Sequence, residues 1–339
     1  MRLTRGVSAP VTRATPGSIR RSIRAAGCAM AARPPIVVVG SVNADLVLPI
    51  ERLPLPGETL AAASLETVPG GKGANQAAAA AKLGYPTFFV GQVGCDANGV
   101  MLREALKSAG VDTTFLRQVP GSSGTALILL QQSGENSIII VGGANQGGWE
   151  LGPEAQAAIS GAGALLLQRE VPEHVNIQAA QLAKTAGVPV YLDAGGVDAP
   201  LAPDLLACLT LLSPNETELA RLTHLSTDTE EEIQAAAQKL QAQGVTSVLV
   251  KLGAQGSLLL PGAGQAAVRQ PALPAPQVVD TTGAGDCFTA AYAVAALEGK
   301  PAAEALRFAS AAGCICVQRS GAQPSLPSRE EVDALLAVP

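Results

Sequence analysis

The sequence predicts an α/β protein with a doubly wound central parallel sheet, helices on both faces of that sheet, and a small β-sheet that forms a lid. Short apolar runs alternate with helix-like segments over most of the chain, as expected when parallel strands are joined by helices. Two stretches interrupt this alternation with additional β-like sequence. The composition agrees, because 47% hydrophobic residues are ample for a buried core in a chain of 339 residues.

The strands of the central sheet are predicted from the apolar runs. Residues 36–39 form a continuous β-branched run that ends at Gly40, which is typical of a parallel strand buried on both faces. Further strands are predicted at residues 87–90, 164–167, 188–192, 209–212 and 245–252. Helices are predicted at residues 75–83, 99–109, 176–186, 216–222 and 229–243.

The two stretches outside the alternation predict the lid. Residues 43–68 hold short extended pieces around a Pro-rich segment, and residues 119–141 are typical of a hairpin with strands at 125–131 and 137–141 and a turn at 133–136. We expect the lid to comprise about residues 43–70 and 113–142. A pair of irregular loops is the alternative, which the length of the two stretches disfavours.

Residues 1–34 differ in chemistry from the rest of the chain. They contain seven arginines and no acidic residue, among many Ser, Thr, Ala and Pro residues. This composition predicts a disordered organelle transit peptide ahead of one folded domain at residues 35–339, and it lacks the apolar run of a secretory signal. The Ser, Thr, Ala and Pro content favours the plastid stroma. A mitochondrial transit peptide, or a basic tail on a cytoplasmic protein, remains the alternative.

Charge and residue usage exclude several classes of function. The formal net charge of -5 provides no basic field for a nucleic acid partner. No apolar run approaches eighteen residues, so no membrane span is expected. The six cysteines lack C-x-x-C spacing and neither histidine lies in a motif, which disfavours zinc sites and histidine-based catalysis.

The sharpest motif is D-T-T-G-A-G-D at residues 280–286, followed by an Ala-rich helical run at 287–297. Small residues before a helix allow backbone amides to converge on an anion, and Gly283, Ala284 and Gly285 would form this cradle. Asp286 repels phosphate, so it suits a base that accepts the proton of an attacking hydroxyl. Capping of the helix is the alternative role, which this motif alone leaves open.

Two further motifs suggest a site for a polar ligand. G-G-K-G-A-N-Q at residues 70–76 runs into a helix and allows close backbone approach, although it matches neither a Walker A loop nor a dinucleotide fingerprint and could be a tight connection. In G-S-V-N-A-D at residues 40–45, Asn43 and Asp45 follow a strand and can pair with adjacent hydroxyls of a polyol. The same Asn and Asp are also common turn residues.

These three segments, in this order and spacing, resemble the ribokinase-like (PfkB) family of carbohydrate kinases over residues 36–336. P-G-E-T at residues 56–59, P-N-E-T-E at 214–218 and S-G-A-Q-P-S at 320–325 resemble it as well. The resemblance implies transfer of the γ-phosphoryl group of ATP to O5 of D-ribose, with Mg²⁺ and a monovalent K⁺ as cofactors. It also implies a homodimer formed through the lid. A fructose or nucleoside kinase of the same family, or a non-catalytic sugar-binding regulator, is the alternative.

The resemblance also implies roles for individual residues. Asp286 would be the catalytic base, and the sugar would contact Asn43, Ala44, Asp45, Gly71, Lys72, Gly73, Ala74, Asn75, Glu170 and Asp286. The nucleotide would lie along Asn215, Lys251, Leu252, Gly253, Ala254, Gln255, Gly256, Gly283, Ala284, Gly285 and Ser310. Asn215 and Glu218 would hold Mg²⁺ through water. K⁺ would be bound by the side chains of Asp280 and Ser325 and the backbone oxygens of Thr282, Cys316, Arg319 and Gly321.

Two positions depart from the pattern of the family. The chain has D-A-G-G at residues 193–196, where N-P-A is common, and Lys251 stands where a small hydroxyl residue is frequent. Both departures fall on the side of the nucleotide and leave the sugar site unchanged.

Overall fold

The computed structural model describes residues 33–131, 136–262 and 264–338. The predicted transit peptide lies outside these ranges apart from its last two residues. The predicted hairpin turn also lies outside them apart from its last residue.

The described residues form two sheets and the helices that cover them. The strands, in chain order, are β1 (Ile36–Val39), β2 (Asn43–Ile50), β3 (Glu66–Gly70), β4 (Thr87–Gly94), β5 (Leu116–Val119), β6 (Gly124–Gln131), β7 (Asn136–Val141), β8 (Ala164–Arg169), β9 (Val190–Gly196), β10 (Leu211–Ser213), β11 (Ser247–Lys251), β12 (Ser257–Leu260) and β13 (Val268–Gln270). The helices are α1 (Lys72–Lys82), α2 (Ala97–Ser108), α3 (Pro153–Ser160), α4 (Glu173–Thr185), α5 (Pro203–Leu206), α6 (Glu216–Thr223), α7 (Glu230–Ala242), α8 (Ala284–Leu297), α9 (Ala302–Cys316), α10 (Ala322–Ser325) and α11 (Arg329–Ala337).

The larger sheet has the strand order β13-β12-β11-β10-β9-β8-β1-β4-β5. The strands from β11 to β5 are parallel, whereas β12 and β13 extend one edge by antiparallel pairing. This antiparallel edge was not predicted. The connection between β11 and β12 is too short for a crossover helix, so the two strands pair in antiparallel.

Both faces of the larger sheet are covered, which confirms the predicted doubly wound architecture. All four residues of β1 are fully buried and alternate between two cores. Ile36 and Val38 pack with α1, α8 and α9, whereas Val37 and Val39 pack on the opposite face with α4 and α7. A strand buried on both sides requires the continuous apolar run seen in the sequence.

The smaller sheet has the order β3-β2-β6-β7, and the predicted hairpin is present as the antiparallel pair β6 and β7. The predicted start of the second lid segment at residue 113 is wrong. Residues 116–119 form β5, which pairs in parallel with β4 in the larger sheet, because Leu116 is buried in the core beneath α2. The second lid segment therefore begins at Gly124.

Helices α1 and α8 begin three residues earlier than predicted, so the motif residues lie within their first turns. The residue before each helix is a glycine with a positive φ, 87° at Gly71 and 75° at Gly283, which other residues rarely adopt. The two helices pack against each other, so their motifs lie close together. No helix within the described ranges is long and apolar enough to cross a membrane.

Candidate active site

The carboxylate of Asp286 is buried at the start of α8. Its Oδ2 accepts a hydrogen bond from Asn75 Nδ2 at 3.0 Å, and its Oδ1 accepts one from Gln76 Nε2 at 3.4 Å. No side chain caps the N-terminus of α8, so the alternative that Asp286 is a helix cap is wrong. The carboxylate is instead directed at α1, where the predicted sugar residues lie.

Burial raises the pKa of Asp286 to about 6, and the nearby charges of Asp193 and Glu170 act in the same direction. Lys72, whose Nζ lies 4.0 Å from Asp286 Oδ1, opposes this rise. At neutral pH the carboxylate is therefore mostly ionised but is a stronger base than an exposed aspartate.

The residues predicted to form the anion cradle, Gly283, Ala284 and Gly285, lie at the N-terminus of α8. The first amides of a helix have no intrahelical acceptor, and the helix dipole places partial positive charge beside them. Gly283 is needed at the N-cap because of its positive φ and because a Cβ atom there would lie 3.1 Å from Ala322 Cα. The Lys251 ammonium lies beside the cradle, since a Cβ atom on Gly285 would lie 3.6 Å from Lys251 Nζ.

The predicted sugar residues come together where β2 meets the start of α1. Asn43 and Asp45 lie in strand β2, not in a turn, and both are buried. A Cβ atom on Gly71 would lie 2.7 Å from Asn43 N, so glycine allows α1 to begin directly against β2. The Asp45 carboxylate lies across Gly70, where a Cβ atom would lie 2.0 Å from Asp45 Oδ2.

Burial, together with the nearby charges of Glu170 and Asp286, raises the pKa of Asp45 to about 7. The carboxyl groups of Asp45, Glu170 and Asp286 thus influence one another, which disfavours a further anion there but suits a neutral polyol. Asn75 contributes a free acceptor, because its buried Oδ1 has no hydrogen-bond partner in the described structure.

Glu170, in the turn after β8, is fixed to the same corner of the site. Its Oε2 accepts hydrogen bonds from Ser41 Oγ at 2.5 Å and from the backbone amide of Lys72 at 3.1 Å. Ser41 was not predicted as a site residue, although it lies within the G-S-V-N-A-D motif. Its hydroxyl connects the end of β1 to Glu170.

Asn145 is a second residue that the sequence analysis missed. Its Nδ2 donates to Asn43 Oδ1 at 2.7 Å, and its Oδ1 accepts from the Val42 amide at 3.0 Å. These contacts leave the amide nitrogen of Asn43 available as a donor. The sequence feature that could have indicated Asn145 is the G-G-A-N run at residues 142–145, directly after the hairpin.

The two departures noted in the sequence contact each other. Lys251 Nζ lies 2.5 Å from Asp193 Oδ2, and the same carboxylate accepts hydrogen bonds from Thr289 Oγ1 at 3.1 Å and from the Gly195 amide at 2.9 Å. Although burial acts to raise it, the pKa of Asp193 is lowered by Lys251 and Lys72. The pKa of Lys72 is raised, chiefly by Asp286. The ammonium groups of Lys72 and Lys251 thus offset the charges of Asp286 and Asp193, respectively.

The predicted nucleotide segment follows β11. Gly253, Ala254 and Gln255 are exposed in a short turn, whereas the side chain of Leu252 is buried in the core and cannot contact a nucleotide. Ser310 on α9 is buried, and its hydroxyl has no partner in the described structure. An orphaned buried hydroxyl is consistent with a polar ligand at this position.

Asn215 and Glu218 cap helix α6, a role that was not predicted. Asn215 Oδ1 accepts from the Glu218 amide at 2.7 Å, and Glu218 Oε2 accepts from the Asn215 amide at 2.8 Å. This reciprocal capping box uses one oxygen of each side chain. The second carboxylate oxygen of Glu218 is left over, which fits Mg²⁺ held through water but not a fully protein-ligated ion.

The residues predicted to bind K⁺ lie in two stretches of the chain, residues 280–282 before α8 and residues 316–325, which run from the end of α9 through α10. Asp280 joins them, because its carboxylate accepts from the Thr282 amide at 2.9 Å and from the Gly321 amide at 2.8 Å. Ser325 Oγ lies 2.7 Å from Ala322 O and 3.0 Å from Cys316 Sγ. Carboxylate, hydroxyl and carbonyl oxygens fit a hard monovalent cation. The described residues contain no cluster of three or more His, Cys, Asp or Glu side chains suited to a metal.

Comparisons with known proteins agree with this geometry. Residues 34–329 match the model of the pfkB family carbohydrate kinases. The chain is 53% identical to a ribokinase of Arabidopsis thaliana over 308 residues, which are 89% of this chain and 81% of that protein. It is 38% identical to a ribokinase of Bacillus subtilis over 307 residues, covering 89% and 99% of the two chains. The structure of the Arabidopsis thaliana ribokinase complexed with ribose and ATP superposes with a TM-score of 0.87, at 52% identity, and covers 90% of this chain and 99% of that one.

Proposed function

The chain belongs to the pfkB family of carbohydrate kinases, and from this premise we propose that it acts as a ribokinase. It transfers the γ-phosphoryl group of ATP to O5 of D-ribose, which yields D-ribose 5-phosphate and ADP. The observation that carries the proposal is the buried Asp286 carboxylate, which is hydrogen-bonded to Asn75 at the start of α1 and lies within the first turn of α8. The similarity to ribokinases, one of them solved with ribose and ATP, supports both substrates.

The sugar is oriented by polar groups of fixed position. Asp45 and Glu170 offer acceptors to the hydroxyls, Asn43 offers its free amide nitrogen, and Asn75 offers its unpartnered Oδ1. Groups held by packing and hydrogen bonds restrict the pentose to one orientation before the reaction begins. The terminal hydroxyl then points at Asp286.

Asp286 accepts the proton of that hydroxyl as the oxygen attacks the γ-phosphorus in line. A carboxylate with a pKa of about 6 cannot ionise a free alcohol, but a loose transition state releases the proton late. The amides of Gly283, Ala284 and Gly285 stabilise the charge on the transferring group, and Lys251 adds a positive charge beside them.

The metal ions fit the residues that the sequence predicts for them. Asn215 and Glu218 would hold Mg²⁺ through water, and the ion would supply positive charge that offsets the phosphate oxygens. Asp280 and Ser325, together with the backbone oxygens of Thr282, Cys316, Arg319 and Gly321, would hold K⁺ behind the cradle. A fixed cation there strengthens the field of the helix amides.

A coupled assay of ADP release tests the proposed substrate and the cation together. We expect turnover with D-ribose to exceed turnover with 2-deoxyribose, fructose and adenosine, because the polar groups around the sugar match a pentose with free hydroxyls. Replacing K⁺ with choline should lower kcat by about tenfold, since the cradle then loses its supporting charge. A preference for fructose or adenosine would assign the chain to another activity of the family. Binding of ribose without any ADP release would identify a sugar-binding regulator.

We propose that the protein is a homodimer formed through the lid. Strand β7 is the edge of the smaller sheet, and Ile138, Ile139, Ile140 and Val141 are each more than half exposed. An apolar edge strand of this kind favours pairing with another surface. Sedimentation velocity should give the mass of two chains, and a monomer at micromolar concentration would contradict the proposal.

We also propose that residues 1–34 direct the protein to the plastid stroma. The proposal rests on their arginine content and the absence of acidic residues. Mass spectrometry of the mature protein from cells measures its N-terminus, and an intact Met1 would contradict the proposal.

A further inference from the structure

A chain of buried amide side chains lies directly behind the Asp286 carboxylate. Gln76 Nε2 donates to Asp286 Oδ1 at 3.4 Å, and Gln168 Nε2 donates to Gln76 Oε1 at 2.7 Å. Asn176 Nδ2 in turn donates to the backbone oxygen of Gln168 at 2.7 Å. Gln76 and Gln168 are fully buried and Asn176 is 1% exposed, so contacts within the protein alone decide how these amides are oriented.

The orientation of the Gln76 amide follows from its two neighbours. An ionised carboxylate only accepts hydrogen bonds, so the nitrogen of Gln76 must face Asp286 and its oxygen must face away. That oxygen is met by the nitrogen of Gln168. If the Gln76 amide rotated by half a turn, two acceptors would face each other at Asp286 and two donors would face each other at Gln168.

Gln168 is itself held by packing. A Cβ atom on Gly40 would lie 2.0 Å from Gln168 Oε1, so the glutamine occupies space that only a glycine at the end of β1 leaves open. Packing holds the side chain in place, whereas the direction of its amide is set by the hydrogen bond to Gln76 Oε1, since Gln168 Oε1 has no partner in the described structure.

We propose that Gln76 and Gln168 are positioning residues that hold the Asp286 carboxylate ionised and fix its plane for proton transfer, an inference that rests on the function proposed above. Asn75 holds the other oxygen of the same carboxylate at 3.0 Å. With both oxygens bound by neutral amides, the carboxylate keeps one orientation before and after the sugar enters. A base that is already oriented loses no free energy to reorganisation during the reaction.

Several charged groups also face Asp286 from the elements packed around it. They are Lys72 on α1, Asp193 on β9, Glu170 after β8 and Asp45 on the lid strand β2. Lys72 favours the ionised form of Asp286 and the three carboxylates disfavour it. Gln76 stabilises the ionised form without adding a net charge, so it leaves the attraction between the ammonium groups and the phosphates unchanged.

Replacing either glutamine with methionine, which has a similar volume, tests the proposal. In Gln76→Met, kcat should fall by about tenfold and the acid limb of the kcat–pH profile should move upward by about 0.5 to 1 pH unit, because the ionised base loses a donor. Gln168→Met should move the limb in the same direction by a smaller amount. KM for D-ribose and ATP should stay within about threefold, since neither glutamine contacts a substrate.

Gln92→Met is the matched control. Gln92 is also fully buried and donates from Nε2 to the backbone oxygens of Ala144 and Gly147, but it does not contact Asp286. This variant should lose stability and keep the acid limb of the wild-type protein. Coincident acid limbs in Gln76→Met, Gln168→Met and wild type would overturn the proposal, as would an equal shift in Gln92→Met.

A measurement without substrate separates this proposal from the proposed function. The carboxyl band of Asp286 can be assigned by infrared difference spectroscopy against Asp286→Asn and titrated in the resting protein. Absence of ribose phosphorylation by the wild type would refute the proposed function alone. An unchanged titration of Asp286 in Gln76→Met and Gln168→Met would refute the positioning role alone, whatever the substrate.

Discussion

Replacing Asp286 with Asn should lower kcat by about 10² to 10⁴-fold, because asparagine cannot accept the proton of the attacking hydroxyl. KM for D-ribose should change by less than about threefold, since Asn43, Asp45 and Glu170 remain in place to bind the sugar. Steady-state kinetics with D-ribose and ATP measure both values. Turnover close to that of the wild type would remove Asp286 from the mechanism.

The stability of the same variant is the control for its fold. Burial raises the pKa of Asp286 above the value in an unfolded chain, so the ionised carboxylate lowers the free energy of unfolding at neutral pH. Asn has a similar size and carries no charge. The variant should therefore be at least as stable as the wild type in urea. If it unfolds, its loss of activity does not support Asp286 as the catalytic base.

Replacing Lys251 with Met should lower the free energy of unfolding by about 3 to 5 kcal/mol, because it leaves the buried carboxylate of Asp193 without its closest partner. Asp193 is 1% exposed and Lys251 14% exposed, so water cannot replace the lost ammonium. Lys72 also attracts Asp193, which favours the lower end of this range. Urea unfolding at neutral pH measures the change.

Two variants serve as controls for this prediction. The double variant Lys251→Met with Asp193→Asn should recover to within about 1 kcal/mol of the wild type, since it removes both charges. Arg221→Met breaks the exposed ion pair with Asp198 and should cost less than about 1 kcal/mol. A double variant as unstable as Lys251→Met alone would show that the lysine stabilises the fold by packing.

The effect of Lys251→Met should also depend on pH. The pair lowers the pKa of Asp193 in the folded protein below its ordinary value of 3.8. Its contribution to stability is therefore present above that ordinary value and is lost as the pH falls through the lower folded value. The difference in stability between the wild type and the variant should narrow in acid.

Local sequence patterns were sufficient to predict most of the fold and to find motifs that lie together in the structure. The buried run of one isoleucine and three valines in β1 is typical of a strand that is covered on both faces. Each of the three motifs consists of a few consecutive residues, so it can be recognised without knowledge of the fold. G-S-V-N-A-D also lies where α/β sheets bind ligands, because it follows the carboxyl end of the parallel strand β1. The other two motifs come at or after the ends of β3 and β13, which pair in antiparallel.

The missed features depend on contacts between distant parts of the chain. Gln168 lies near the end of β8, and the sequence gives no sign that it reaches Gln76, which lies 92 residues earlier. Lys251 and Asp193 were each noted as departures, but only the fold shows that they form one ion pair. Leu116 lies within the range predicted for the lid, whereas its side chain belongs to the core.

Strand β2 contributes to the lid and to the sugar site at the same time. Asn43 and Asp45 belong to the smaller sheet, whereas Asn75 and Asp286 are fixed to helices that pack on the larger one. A pentose bound as proposed above would therefore contact both sheets at once. We expect ATP hydrolysis to stay slow in the absence of sugar, because a water molecule cannot contact both sheets as a pentose would.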